Sequence, residues 1–210
     1  MNFAVPSIPM NMTSTDRVLL LLTGILAAYQ VAVGINGLGE IPIIVYTIGF
    51  GVLLVAGLLL IILGFDVLDS PIVVIVSTII PLTISLGLAW EHLASFRTSY
   101  LVFAIAGFLA VLATRAIPMK NKLPTIVIAI VHGIAGMTIF LLPSILAADG
   151  TKSPVFALVG LGGAMIGLGG LLLSFLKAGK PIVPRETILK ILPALFLLMT
   201  ACFVIGFKYG

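Results

Sequence analysis

The chain has 210 residues, of which 61% are hydrophobic and only 9% are charged, whereas soluble domains carry about 25% charged residues. A chain this apolar cannot cover a water-facing surface, so its composition excludes an ordinary soluble domain and predicts an integral membrane protein. The net charge of +4 does not indicate nucleic-acid binding, because cytoplasmic loops of membrane proteins are normally basic. The single Cys202 excludes an internal disulfide and a CxxC metal or redox site.

The first sixteen residues have no basic segment ahead of an apolar core. We therefore expect residues 1–16 to form a short cytoplasmic tail and not a cleavable signal peptide. Ser14, Thr15 and Asp16 are helix-capping residue types placed just before the first apolar run. From there on, residues 17–210 are predicted to form one transmembrane domain.

Seven apolar runs follow, each about as long as the roughly 20 residues that a spanning helix needs. Charged residues or turn formers separate them, as in loops that leave the bilayer. The runs predict an all-α integral membrane protein with seven transmembrane helices, at 17–36, 41–65, 71–93, 99–117, 123–146, 154–177 and 186–208.

The lysines and arginines predict the orientation. With seven spans, one side of the membrane receives eight basic residues: Arg17, Arg115, Lys120, Lys122, Lys177, Lys180, Arg185 and Lys190. The other side receives Arg97, Lys152 and Lys208. Since cytoplasmic loops carry the excess of positive charge, the N-terminus is expected in the cytoplasm and the C-terminus outside. The compact loops favour a prokaryotic plasma membrane.

The fourth span divides the chain into two similar halves, 17–94 and 129–206, joined by the helix at 99–117. Pro42 and Pro154 are 112 residues apart, and so are Pro81 and Pro193. One span between two three-helix units predicts a 3+1+3 parallel internal repeat. In plan this is similar to the SWEET sugar transporters and to microbial rhodopsins. The proline-glutamine signature of the SWEET superfamily is absent, however, and the last span has no mid-membrane lysine for retinal.

Polar residues near the middle of the spans are candidates for a substrate path. His132 lies ten residues past Lys122, about 15 Å along the helix, and is either a proton or substrate partner or a histidine satisfied by a neighbouring group. Pro81 lies at a similar depth, and Ser77 and Thr78 one turn before it. Paired prolines in matching spans, Pro81 and Pro193, indicate broken helices around a transport site or serve packing alone.

Further polar residues lie toward the outer face. Tyr29 and Gln30 are candidates to line an outer vestibule, whereas Tyr46 is better explained as an interfacial aromatic. Glu91 and His92 either form an outer entrance or pair with Arg97. A haem held by both histidines is excluded, because His92 and His132 differ in depth by about 16 Å of helix rise.

Glycines in the sixth span form a small-residue face at Gly160, Gly163 and Gly167, which favours close helix packing and secondarily a contact with another copy. No motif of a metalloprotease, serine hydrolase, nucleotide loop or prenyl-transfer enzyme occurs. No metal or other cofactor is therefore expected, and an enzyme is disfavoured.

The sequence thus predicts a small transporter or channel-like protein. Its solute should be neutral or weakly polar, because no charge is available within the spans to neutralise an ion. The second hypothesis is an accessory subunit of a larger membrane complex that holds lipid, quinone or pigment. The third is an intramembrane enzyme or sensor. The expected partners are the lipid bilayer and either another copy or a larger complex.

Overall fold

The structure is a computed structural model that describes residues 12–117, 122–177 and 182–210. Within these ranges it is all-helical, and seven helices are long and apolar enough to cross a membrane. The helices are α1 (Ser14–Val33), α2 (Glu40–Leu63), α3 (Pro71–His92), α4 (Arg97–Ala116), α5 (Leu123–Ala148), α6 (Ala157–Lys177) and α7 (Arg185–Tyr209). All seven predicted helices are confirmed, with ends that move by a few residues. Residues 1–11 of the predicted tail, and Lys120 and Lys180 of the basic loops, lie outside the described residues.

Helix α1 begins earlier than the sequence predicted, because its cap is Thr13. The Thr13 hydroxyl accepts the backbone N–H of Asp16 at 3.1 Å, and the Asp16 carboxylate accepts the backbone N–H of Thr13 at 2.9 Å. This reciprocal capping box satisfies two backbone donors at the helix start. Expected as part of the cap, Asp16 instead belongs to the first turn.

Three short 3-10 segments join or precede the helices. Phe65–Asp69 connects α2 to α3, Ala94–Phe96 precedes α4, and Pro154–Phe156 leads into α6. The first of these begins at Phe65, which the sequence placed at the end of the second span, and continues into the predicted break before the third. Phe65 is buried there against the ends of α1, α2 and α7, so this connection is packed against the bundle.

Six helices form a closed ring and the fourth lies outside it. The neighbours around the ring are α1, α2, α3, α5, α6 and α7, and α7 returns to α1. Among the described residues, helix α4 packs mainly on α3 and α5, and also contacts the short segment Ala94–Phe96 that precedes it. The chain therefore leaves the ring after α3, runs along its outside as α4, and re-enters as α5.

The centre of the ring is filled by apolar side chains from all six of its helices. This central cluster includes Ala27, Phe50, Ile84, Ile139, Val159 and Phe203, each almost completely buried. Because lipid is as apolar as these side chains, close van der Waals packing holds such helices together more than the hydrophobic effect does. At mid-depth along the helices, this cluster fills the interior of the ring.

Small residues bring α6 close to its neighbours. A Cβ atom on Gly160 would lie 2.7 Å from the Phe140 carbonyl oxygen, and one on Gly163 would lie 2.6 Å from the Ile139 side chain. Both glycines therefore allow the α5–α6 contact. Gly167 is different, because a Cβ atom there would meet nothing within 4 Å.

Candidate functional site

A cavity of about 360 Å³ opens at the end of the ring that carries the loop at 34–39, the turn at 93–96 and the loop at 149–153. This end is called the cavity end. The opposite end, which carries residues 64–70 and 182–184, is called the basic end. The cavity is lined by α1, α2 and α3 on one side, and by the loop at 149–153, the 3-10 segment Pro154–Phe156 and the end of α7 on the other. It therefore lies between the two halves of the chain.

Eight polar side chains of the described chain face this space. Those that line it are Tyr29, Gln30, Asn36, Tyr46, Glu91, His92, Lys152 and Lys208. The structure thus brings together four residues that the sequence proposed separately, two for a substrate path (Tyr29 and Gln30) and two for an outer entrance (Glu91 and His92). Their functional roles stay predictions.

Tyr46 and Gln30 form the most buried polar part of the lining. Gln30 is only 5% exposed, and its Nε2 group donates to the Gly34 carbonyl at 2.8 Å, which fixes the orientation of the amide. Tyr46 is 4% exposed, and its ring packs against Phe207 at a centroid distance of 4.7 Å. Its position inside the bundle contradicts the interpretation of Tyr46 as an interfacial aromatic.

Lys208 lies across the mouth of the cavity from α7 to α1. Its Nζ group donates to the Tyr29 hydroxyl at 2.7 Å and lies 5.3 Å from the centroid of the Tyr29 ring. The ring quadrupole attracts a cation at this distance. The contact orients the ammonium group beside the cavity.

Lys152 is positioned by the loop at 149–153. Its backbone N–H donates to the Leu146 carbonyl at 2.8 Å. The Asp149 side chain accepts the backbone N–H of Thr151 at 2.9 Å, and hydrogen bonds from Thr151, chiefly its side chain, lower the pKa of the Asp149 carboxyl. The loop is tied to α7 by the Ser153 hydroxyl, which donates to the Tyr209 carbonyl at 3.1 Å.

Glu91 and His92 end α3 beside these two lysines. The His92 ring meets the Phe156 ring edge to face at 5.5 Å, and Lys152 is close enough to interact electrostatically with His92. No ion pair joins Arg97 to Glu91 or His92 among the described residues, and Arg97 donates to the Trp90 carbonyl at 2.6 Å. Glu91 instead interacts electrostatically with Tyr46.

Below the cavity the ring is closed by aromatic side chains of the central cluster. The Phe50 ring lies 6.4 Å from the Phe203 ring and 6.3 Å from the Phe207 ring. Buried hydroxyls at this depth do not form a polar path, because each donates to its own helix. Examples are Thr200 to the Phe196 carbonyl at 2.7 Å and Ser85 to the Leu82 carbonyl at 3.1 Å.

The mid-span residues predicted for the path are dispersed. Thr78 is fully buried and donates to the Val74 carbonyl at 2.7 Å. Pro81 and Pro193 are buried within α3 and α7. Ser77 is exposed, so its side chain points away from the interior of the ring. None of these four residues lines the cavity.

His132 also lies away from the cavity. It is on α5, and its electrostatic neighbour is Arg115 of the peripheral helix α4. The Nδ1 atom of His132 and the Nε atom of Arg115 are buried and have no hydrogen-bond partner among the described residues. The two histidines are therefore in different parts of the fold, and no group of three metal-ligating side chains occurs in the described chain.

The chain matches no protein-family model, no curated protein and no solved structure. Its function must therefore be argued from the cavity itself.

Sequence reasoning missed Lys152, Lys208 and Phe156 as parts of the cavity. The two lysines were used only as charges that set the topology. A signal was available, since the topology already placed the end of α7 and the loop after α5 on the same side of the membrane as Tyr29 and Glu91. What the sequence could not supply was the closure of the ring, which brings α7 next to α1.

Proposed function

We propose that this chain is a multi-pass membrane transporter that takes up a small solute through the cavity. The observation that carries the proposal is the polar cavity itself, which is lined from both halves of the chain and ends on the apolar central cluster. A site that is open at one end and sealed at the other is what one state of an alternating-access carrier requires. A permanently open channel is disfavoured by the same observation.

The contacts between the two halves, called the seams below, are where the movement required for transport would take place. The two halves meet where α3 packs on α5 and where α7 packs on α1. Helices α3 and α7 both contain an internal proline, Pro81 and Pro193. A proline removes one backbone hydrogen bond and allows a helix to bend, so bending at these positions would change the seams and open the ring at its basic end.

A parallel two-fold repeat of α1–α3 and α5–α7 belongs to this proposal. The packing order supports it, because each half packs internally in chain order and the two seams are equivalent under such an exchange. Glycines at one pair of matching positions in the two halves have different surroundings, however. Gly163 packs closely on Ile139, whereas a Cβ atom on its counterpart Gly51 would meet nothing within 4 Å.

The orientation also belongs to the proposal. We place the cavity end outside and the basic end in the cytoplasm of a prokaryotic plasma membrane, on the distribution of lysine and arginine. In this orientation the cavity is the entry site.

The test is uptake into proteoliposomes. Purified protein is reconstituted, incubated with a defined mixture of small metabolites, and the vesicle contents are measured by mass spectrometry. To block the cavity, Asn36→Cys is made in a Cys202→Ser background and modified with a bulky membrane-impermeant maleimide. We expect at least one solute to accumulate only in the presence of protein, and the modification to stop its accumulation.

The matched control is Lys122→Cys in the same background, because Lys122 is exposed at the basic end. Treatment with the same reagent should leave uptake intact, because position 122 does not line the cavity. Uptake of no component above protein-free vesicles, or uptake that the Asn36 block leaves unchanged, would contradict the proposal.

A second candidate is an accessory subunit of a larger membrane complex. The specific observation in its favour is α4, which lies outside the ring and exposes Val102, Ile105 and Leu109 along one face. Native mass spectrometry of protein from its own membrane separates the candidates. Reproducible co-purification of other membrane subunits or pigments would favour the subunit, and a monomer or homodimer would favour the transporter.

A further inference from the structure

We infer that the solute bound in the cavity carries a carboxylate group, which Lys208 and Lys152 receive. This inference rests on the proposed function in that it names the chemical class of solute for the same site. It departs from the neutral solute expected from the sequence, because that expectation considered only charges within the spans.

The cavity gathers charged groups that the protein does not neutralise. Lys208, Lys152 and Glu91 line it, and none of the three has an ion-pair partner among the described residues. Lys208 donates to the Tyr29 hydroxyl and also has a side-chain hydrogen bond with Tyr209, so its described partners are hydroxyl groups and not carboxylates. Among the side chains that line the cavity, two ammonium groups face one carboxylate, and this excess of positive side chains favours an anionic group on the ligand.

Two deeply buried polar groups also face the cavity without protein partners. Tyr46 lines the cavity at 4% exposure, and its hydroxyl makes no hydrogen bond with a described residue. Gln30 lines it at 5% exposure, and although its Nε2 group is bonded to Gly34, its Oε1 atom is not bonded to a described residue. Neither atom is among the fully buried unpaired ones, so both are open to the cavity, where a ligand or water can hydrogen-bond to them.

The positions of these groups determine how the ligand is oriented in the cavity. Its carboxylate would lie toward the two lysines near the end of α7 and the loop at 149–153. A hydrogen-bond donor of the ligand would lie toward Glu91 and Gln30, which accept. The rings of Phe156 and Phe207 provide apolar walls for a short carbon skeleton, as is usual in small-molecule sites.

The experiment measures binding to the full chain in detergent by titration calorimetry, with three probes of nearly equal size. Succinate carries two carboxylates, succinamate carries one, and succinamide carries none. Since a hydrogen bond to a charged group contributes about 1.5–3 kcal/mol, we expect succinate and succinamate to bind at least roughly tenfold more tightly than succinamide. Equal binding of all three probes, or binding of none at millimolar concentration, would overturn the inference.

Lysine variants test whether the carboxylate binds in the cavity. Lys208→Ala and Lys152→Ala should each weaken succinamate binding roughly tenfold, by loss of one such charged contact, while succinamide binding is unchanged. Lys190→Ala is the matched control, because Lys190 is an exposed lysine of the same helix at the basic end. An equal effect of Lys190→Ala would overturn the assignment to the cavity.

These assays distinguish failure of the carboxylate site from failure of the proposed transport. Lysine-dependent binding of succinamate without uptake into proteoliposomes would retain the carboxylate site and remove transport. Cavity-dependent uptake of solutes without any lysine effect on binding would retain transport and remove the carboxylate site.

Discussion

The ring of Tyr46 occupies space that only a glycine at position 87 leaves free. A Cβ atom on Gly87 of α3 would lie 2.5 Å from two carbon atoms of that ring. The glycine therefore sets how deeply the buried Tyr46 hydroxyl can sit in the cavity.

Replacing this glycine should destabilise the protein and disturb the cavity. Because overpacking of a buried site costs about 1–3 kcal/mol, Gly87→Ala should lower the unfolding midpoint in detergent and weaken binding of succinamate. Gly167→Ala is the control, since that position is also inside a helix but has free space, and it should be neutral or stabilise by up to about 1 kcal/mol. An unchanged midpoint for Gly87→Ala would show that Tyr46 can move without cost.

The candidate site was predictable from residues only in part. Polar residues near the ends of apolar spans are few, so Tyr29, Gln30, Glu91 and His92 could be identified directly from the sequence. Whether such residues meet depends on which helices become neighbours, and periodicity does not encode that. His132 had the strongest sequence signal, yet it lies beside α4 and away from the cavity.

Helix α4 is fastened to the ring by a hydrogen bond between side chains. The Tyr100 hydroxyl donates to the Thr138 hydroxyl of α5 at 2.9 Å, and Thr138 in turn donates to the Ile134 carbonyl at 2.9 Å. Arg97 of α4 also donates to the Trp90 carbonyl of α3, and Tyr100 has a further side-chain hydrogen bond with Ser85 of α3. The apolar contacts of α4 lie around Ala104 and Val111.

A double-mutant cycle should detect this connection. Because a hydrogen bond contributes about 0.5–1.5 kcal/mol net, Tyr100→Phe and Thr138→Val should each lower the free energy of unfolding in detergent. The double variant should cost less than the sum of the two single effects. Strict additivity would mean that the two hydroxyls do not interact in solution.

The prolines of α3 and α7 should affect movement more than binding. If bending at Pro81 and Pro193 opens the seams, Pro81→Ala and Pro193→Ala restore a backbone donor, stiffen their helices and should slow proteoliposome uptake while leaving succinamate affinity unchanged. Pro42→Ala is the control, because Pro42 lies in the first turn of α2, where a proline removes no helical hydrogen bond. Uptake rates that are equal in all three variants would contradict the hinge.

At the scale of the molecule, the orientation predicts which end can be labelled from outside. In the Cys202→Ser background, Asn36→Cys should react with an impermeant maleimide in intact cells, because Asn36 is exposed at the cavity end. Lys122→Cys should react only after the membrane is permeabilised. The reverse pattern would invert the topology and make the cavity a cytoplasmic site.

Much of the fold follows from the sequence, because apolar runs separated by charged breaks define helices whose lengths match a bilayer. The packing order does not follow. Apolar side chains lie on every side of these helices, so hydrophobicity does not mark the inward face. Close approach at Gly160 and Gly163 is a better guide, although a Cβ atom on Gly167, in the same pattern, would meet nothing within 4 Å in this chain.

The closed ring also has a consequence for biosynthesis. Helix α1 packs against α7, and buried side chains such as Leu20 and Ala27 depend on a neighbour that is translated some 150 residues later. At about 5–20 residues per second, synthesis of the intervening chain takes roughly 8–30 s, and α1 is in the membrane without its permanent partner for that time. If translation stops before α7, the incomplete chain lacks the helix that covers this face of α1. Quality-control proteases can recognise such an uncovered helix face.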